Sequence, residues 1–219
     1  MILHIETATK VCSVALSSQG ELKTLVELRS DGYTHAENIT VFIQQALKKV
    51  KCEMHQLEAV AVSSGPGSYT GLRIGVSTAK GLCYALGIPL ISVDALVSIA
   101  NQLVEEYPNH LLCPMIDARR MEVYSAIYDA QLKLIKPISA DVITATSYTE
   151  HTPLVIAGDG ATKVQELWNE RTAVVFRPDI LSSTKGQVTL AWEKFHKQDF
   201  EDVAYFEPFY LKDFKVGGN

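Results

Sequence analysis

Cysteine is scarce in this 219-residue chain and badly spaced for cross-linking. Cys12, Cys52, Cys83 and Cys113 lie far apart, with no C-x-x-C pair among them. Neither a disulfide framework nor a zinc knuckle is therefore expected, and a reducing compartment fits better. Long apolar runs are missing as well, and none approaches the roughly 18 residues that a membrane span requires. The N-terminus, Met1-Ile2-Leu3-His4-Ile5-Glu6, has no basic start and meets an acid before an apolar run can build. No targeting segment is expected from it, and the protein is expected to be soluble and cytoplasmic. Positive charge is not in excess either: the formal net charge is −5, which argues against a protein that holds nucleic acid by charge alone. What remains is ordinary globular material, 47% hydrophobic and 21% charged, long enough for one large domain or two small ones with a core of their own.

The pattern along the chain predicts two successive α/β units. Ile2 to Glu6, Val11 to Ser17 and Leu22 to Arg29 read as strands, the last two joined at Ser18-Gln19-Gly20. Thr34 followed by Glu37 has the form of a capping box, and behind it Ile39, Phe42, Ile43, Ala46, Leu47 and Val50 recur at helical spacing. Leu57 to Ser63 reads as a strand, Gly71 to Leu86 as a helix, Pro89 to Val93 as a strand, and Asp94 as the cap of a helix through Tyr107. The second half repeats the order. Leu111 to Ile116, Glu122 to Tyr128 and Leu132 to Pro137 are expected strands, then Leu154 to Ala157 and Ala173 to Phe176, with helices at Ala161 to Trp168 and Val188 to His196. Three antiparallel strands followed by alternating helix and strand is a ribonuclease-H-like unit. Two in tandem predict the actin-like architecture, with units at 1–107 and 108–219 and the last segment packing back on the first. Such a fold does not by itself give a function.

Several chemistries lack their residues. The run Ser63-Ser64-Gly65-Pro66-Gly67-Ser68-Tyr69-Thr70-Gly71 joins a strand to a helix, but no lysine follows Gly71 or Gly75, so it is not a P-loop. It reads either as a tight structural turn or as a phosphate contact at a helix N-terminus. A two-metal nuclease would find Glu6 and Glu37, but Ser63-Ser64 stands where a third carboxylate is wanted. No G-x-S-x-G elbow occurs. His35 has Ile39 one turn on, where a metal-binding pair would need histidine, so His35 reads as a surface or interface residue. In the cleft between units, Glu6 and Asp117 could share a metal, and Thr7, Thr9, Asp117 and Gly158 are weak candidates for nucleotide contact. On the Gly71–Leu86 helix, Leu72, Val76, Ala79, Cys83 and Leu86 form an apolar arc, and small residues cover much of the rest. A helix so apolar is covered on more than one side, by the first helix or by a second subunit.

Four stretches resemble one family closely. Ile5-Glu6-Thr7-Ala8-Thr9, His35-Ala36-Glu37-Asn38, the run Gly65 to Gly75 and Ile116-Asp117-Ala118-Arg119 are similar to the TsaB (YeaZ) family of tRNA threonylcarbamoyladenosine biosynthesis. Glu207-Pro208-Phe209-Tyr210-Leu211-Lys212 resembles that family's C-terminal motif, with Lys212 where arginine is usual. The resemblance implies an actin-like fold and a non-catalytic partner of the metal-bearing paralogue TsaD, with the ATPase TsaE docking on the pair. It implies a homodimer when the chain is alone, tRNA contact mainly through the partner, and no catalytic residue, metal or cofactor of its own; ATP or ADP at the complex interface stays open. Partner binding through the first two helices would put His35, Asn38, Ile39, Phe42, Leu72, Arg73, Gly75, Val76, Ala79 and Lys80 at the interface. The rivals are an active phosphotransferase of the same fold and a metallopeptidase.

Overall fold

The computed structural model describes residues 1–30 and 34–212. Strands β1 (Ile2–Glu6), β2 (Val11–Ser18) and β3 (Glu21–Arg29) form an antiparallel meander. β2 and β3 are joined by Gln19 and Gly20, both at positive φ, as a two-residue hairpin of right-handed twist requires. Helix α1 (His35–Lys49) leads to β4 (Ala59–Gly65), α2 (Tyr69–Leu86) and β5 (Leu90–Asp94), giving a five-stranded sheet in the order β3-β2-β1-β4-β5. The second half repeats the scheme with β6 (Leu111–Asp117), β7 (Glu122–Tyr128), β8 (Leu134–Val142), β9 (Leu154–Ala157) and β10 (Val174–Arg177), in the order β10-β9-β6-β7-β8. In each sheet the first strand is parallel to the fourth, so both sheets have a carboxyl edge where loops gather.

Helices α1 and α2 cover one face of the first sheet, where Leu3, Ile5, Val14, Val60 and Val62 meet Ile39, Phe42, Ile43, Val76 and Ala79. The remaining helices are exchanged between the halves. The short helix α3 (Ala95–Asn101), which follows β5 in sequence, packs Leu96, Ile99 and Ala100 against Leu112, Ile116 and Ala157 of the second sheet. Helix α5 (Val188–Lys197), from the second half, lays Ala191 on Ile2, Ala61, Ile91 and Val93 of the first sheet. Helix α4 (Ala161–Gln165) covers the outer face of the second sheet with Val164, near the buried Trp168. The exchange buries apolar side chains at about 25 cal/mol per Å² on both sides of the join, so the two halves share their cores. The last segment also returns to the first half. Glu201 pairs with Leu90, the amide of Phe209 donates to Ser64 O at 2.8 Å, and Lys80 Nζ donates to Ala204 O and Phe206 O at 3.1 and 3.0 Å.

Four local expectations are corrected. Thr34 stands at the N-cap of α1 but accepts no capping bond through its side chain, which meets Ser30 Oγ at 3.2 Å instead, so no capping box forms. Helix α3 ends at Asn101 rather than Tyr107, where Gln102 turns away to donate to Leu181 O. Helix α4 stops at Gln165, with Trp168 carried inward by a following turn. Strand β8 starts later, because Asp129 Oδ1 accepts from the amides of Gln131 and Lys133 and holds Leu132 in a turn at φ +60.

Candidate functional site

Two places hold the residues singled out by sequence: the join between the halves, and the outer face of α1 and α2. In the first, the turn after β1 is packed under α2. A Cβ on Gly67, Gly71 or Gly75 would run into Ala8 or Thr7. The amide of Ser68 donates to Ala8 O at 2.7 Å, and Ser68 Oγ caps α2 by accepting from Gly71 N at 3.2 Å. The glycine run is therefore a close backbone crossing, with Ser68 N and Gly71 N already spent inside the protein. Thr7 is buried, and Thr9 Oγ1 accepts from Val11 N at 3.2 Å. Gly158, at φ +98, is pressed against Met115 O and donates its amide to Ile180 O at 2.8 Å.

The two cleft acids are not brought together. Glu6 is buried and accepts from Ala8 N at 2.6 Å and from Gln187 Nε2 at 3.3 Å; burial pushes its carboxyl above the usual range. Asp117 instead forms an ion pair with Lys163, and its own amide donates to Asp159 Oδ1 at 3.0 Å. Between sheets, residues 182–187 fill the space. Ser183 Oγ donates to Glu27 Oε2 at 2.7 Å, Thr184 Oγ1 meets Ser13 Oγ at 2.7 Å, and Gly186 sits against Ser98 O. At the rim, Val11, Glu27, Arg29, Asp179 and Lys185 line a cavity of about 100 Å³. Small-molecule sites usually enclose 300–1,000 Å³, so this hollow is too small for a nucleotide. A larger hollow of about 370 Å³ lies between α5 and the ends of β4 and β5, lined by Ser64, Asp94, Val97, Leu190 and Lys194 among others. Asp94 accepts from Leu96 N and Val97 N as the cap of α3, and burial raises its pKa to about 6.

On α1 and α2 the wheel is turned differently from the sequence expectation. His35, expected at the surface, is 1% exposed, with Nε2 donating to Thr9 O at 2.8 Å; burial lowers its pKa. Ile39, Phe42, Leu72, Val76 and Ala79 all lie in the core, and Gly75 lies under Thr7, so none of these six presents a side chain outward. Asn38 is half-buried, with Nδ2 donating to Thr34 O. Arg73 is exposed, stacks over the Tyr69 ring at 4.2 Å and reaches Tyr210, while Lys80 is engaged by the C-terminal segment. The outward stripe of α2 is instead Ser77, Gly81, Tyr84 and Ala85, at helical spacing, flanked by half-buried Thr78 and by Ile74, which packs partly against the core. Tyr84 is 84% exposed, and a Cβ on Gly81 would meet nothing within 4 Å. Exposed Val41 is the apolar residue on the outer side of α1. Gly81 and Ala85, counted from sequence among the small residues of this helix, are exposed, whereas most of the interface set expected from the family resemblance is buried. Sequence reasoning missed Lys163 and Gln187 because no spacing ties them to Asp117 or Glu6.

Two tandem sheets of this topology, with helices exchanged across the join, define an actin-like fold, the class of many sugar kinases and ATPases. The solved structure of YeaZ from Pseudomonas aeruginosa superposes with a TM-score of 0.83 at 24% identity, over 96% of this chain and 99% of that one. The sequence model of the family described as "TsaD: tRNA N6-adenosine threonylcarbamoyltransferase" matches residues 32–214. The chain belongs to that family, in its TsaB (YeaZ) branch. The Escherichia coli tRNA threonylcarbamoyladenosine biosynthesis protein TsaB is 28% identical over 97% of this chain and 94% of its own length. The Haemophilus influenzae protein of the same name is 35% identical over 123 residues, and the matched stretch spans about half (51%) of that relative.

Proposed function

We propose that this chain is a docking subunit in tRNA threonylcarbamoyladenosine biosynthesis. It binds the metal-bearing paralogue TsaD through the outer face of α1 and α2 and is needed for threonylcarbamoyl transfer to N6 of adenosine 37, while carrying out no transfer itself. The observation that carries the reading is the exposed stripe Ser77, Gly81, Tyr84 and Ala85 on α2. Small residues let another helix backbone approach closely, and one exposed tyrosine supplies the large anchor typical of interface centres. The same stripe would serve a second copy of this chain when TsaD is absent, and TsaE would dock on the assembled pair. The paired state of the cleft supports the non-catalytic part: Glu6 is tied to Gln187, Asp117 to Lys163, and residues 182–187 occupy the space between sheets. An acidic subunit is also a poor sole ligand for tRNA, so RNA contact falls mainly to the partner.

The test is reconstituted threonylcarbamoyl transfer to tRNA with TsaD and TsaE, with and without this chain, and with Gly81→Arg. Transfer that needs the chain and is lost with Gly81→Arg, while the variant stays folded, supports the reading. Transfer that proceeds equally without the chain overturns it, and ATP turnover by the chain alone would favour a phosphotransferase instead.

A further inference from the structure

The hollow of about 370 Å³ between α5 and the ends of β4 and β5 falls in the usual size range of small-molecule sites. It shares no lining residue with the smaller cavity at the rim of the join. Val93, Val97 and Leu190 give it apolar walls, and the strand ends supply polar groups. The register of β4 against β5 slips between Ser63 and Gly65, so Ser64 is the extra residue of a bulge, a device that re-aims a side chain. Asp94 Oδ1 accepts from Leu96 N at 2.7 Å and Val97 N at 3.0 Å, and no described residue donates to Oδ2. The other charged residues of the lining cancel in pairs. Lys194 Nζ lies 3.3 Å from Asp199 Oδ2, and Lys197 Nζ lies 3.6 Å from Glu193 Oε2. Asp94 pairs with no cation among the described residues; burial, with the charge of Glu6 added, raises its pKa to about 6, so at neutral pH it is still mostly ionised.

The hollow thus sets one uncompensated carboxylate against apolar walls. A buried charge without a partner is costly, and a cation of matching size removes that cost. We propose that this hollow binds a small organic monocation, an ammonium or guanidinium group on a short apolar stem, with the cation donating to Asp94 Oδ2 and the Ser64 hydroxyl and the stem lying on Val93, Val97 and Leu190. An anion is disfavoured because both lysines of the lining are already paired. A divalent metal is disfavoured because one carboxylate oxygen and one hydroxyl fall short of the six or more oxygens it takes. No lining residue belongs to α2, so this assignment and the docking reading can fail separately.

The probe is n-butylammonium, with 1-butanol as its uncharged counterpart of equal length and butyrate as the anion. Titrations of the full chain at pH 7 are followed by the methyl NMR shifts of Val93, Val97 and Leu190. The ammonium should shift these methyls saturably and bind at least about tenfold more tightly than the alcohol, because hydrogen bonds between charged groups are the stronger kind. Asp94→Asn keeps an oxygen to cap α3 but removes the charge, and it should erase the preference for the ammonium. A preference that survives Asp94→Asn overturns the assignment. Three outcomes on the unaltered protein overturn it without any variant: no saturable shift with the ammonium, equal affinity for ammonium and alcohol, or tighter binding of butyrate.

Discussion

The backbone of α2 at Gly71 runs directly against the carbonyl oxygen of Thr7, whereas Gly81, on the same helix, faces open space. Both glycines sit in helical conformation, so alanine should gain helix propensity at each, by about 0.5–1 kcal/mol. At Gly81 nothing opposes that gain, and Gly81→Ala should raise the urea midpoint. At Gly71 the added methyl has nowhere to go. Strand β1 is fully buried and the opposing atom is main chain, so the crossing must open. Gly71→Ala should therefore lose about 1–3 kcal/mol, the usual cost of overpacking. Opposite signs for the two substitutions are the expected outcome of paired denaturation curves, and a gain at Gly71 would contradict the crossing.

Much of this architecture was legible in the sequence, because long periodic segments carry their own signal. The face Ile39, Phe42, Ile43, Ala46 and Leu47 of α1, the turn at Gln19-Gly20 and the cap at Asp94 all stand where pattern and turn chemistry place them. What periodicity could not report is which other element each face meets. On α2 the arc Leu72, Val76, Ala79 and Cys83 is the most apolar, and it is spent inside the protein; the exposed stripe, Ser77, Gly81, Tyr84 and Ala85, mixes small residues with one tyrosine and carries no strong apolar signal. The exchange of α3 and α5 between the sheets was equally invisible, since it depends on contacts far apart in the chain. The same holds for the polar contacts of residues 182–187 with Ser13 and Glu27.

Asp94 gives a pH dependence with a definite sign. Burial raises its pKa to about 6 in the folded protein, well above the roughly 4 of an aspartate in the unfolded chain. The folded state then binds more protons than the unfolded state between pH 4 and 6, so stability falls as pH rises through this window and levels off above it. Asparagine keeps the capping oxygen for Leu96 N and Val97 N but does not ionise. Asp94→Asn should therefore match the parent near pH 4 and gain relative to it by about 2–3 kcal/mol by pH 7. Denaturant midpoints at pH 4, 5, 6 and 7 test this; a constant difference would refute it.

Asp141 should behave in the opposite way. Burial pushes its carboxyl up, but the donors Lys136, Tyr148, Ser139 and Ser125 outweigh burial and hold it at about 2. Ser125 Oγ and Tyr148 OH reach it at 2.8 and 2.5 Å, which fastens the segment after β8 to β7. A depressed carboxylate stabilises the fold above its unfolded pKa and loses that contribution as pH falls from about 4 to 2. Asp141→Ala should cost about 1–3 kcal/mol at pH 7 by leaving buried hydroxyls without their acceptor. The deficit should shrink in melts at pH 3. A loss that is the same at both pH values would mean that the carboxylate charge plays no part.

Charge placed on α2 should separate folding from docking by position along one helix. Val76 is 4% exposed and packed against the first sheet, so Val76→Glu buries an unpaired carboxylate and should unfold or severely destabilise the chain. Any loss of partner binding by that variant would report only the loss of the fold. Ala85 lies on the exposed stripe beside Gly81 and Tyr84, so Ala85→Glu should shift the thermal midpoint by less than about 0.5 kcal/mol equivalent. A helix docked there would bury the new carboxylate against its own apolar side. Calorimetry with TsaD should then show binding weakened at least about thirtyfold by Ala85→Glu, since a desolvated unpaired charge costs about 2–5 kcal/mol. Tyr84→Ala should weaken binding less severely, by the roughly 2 kcal/mol of a lost aromatic anchor. If both variants bind TsaD as the parent does, the docking face lies elsewhere on the chain, and the stripe on α2 is simply solvent-exposed helix.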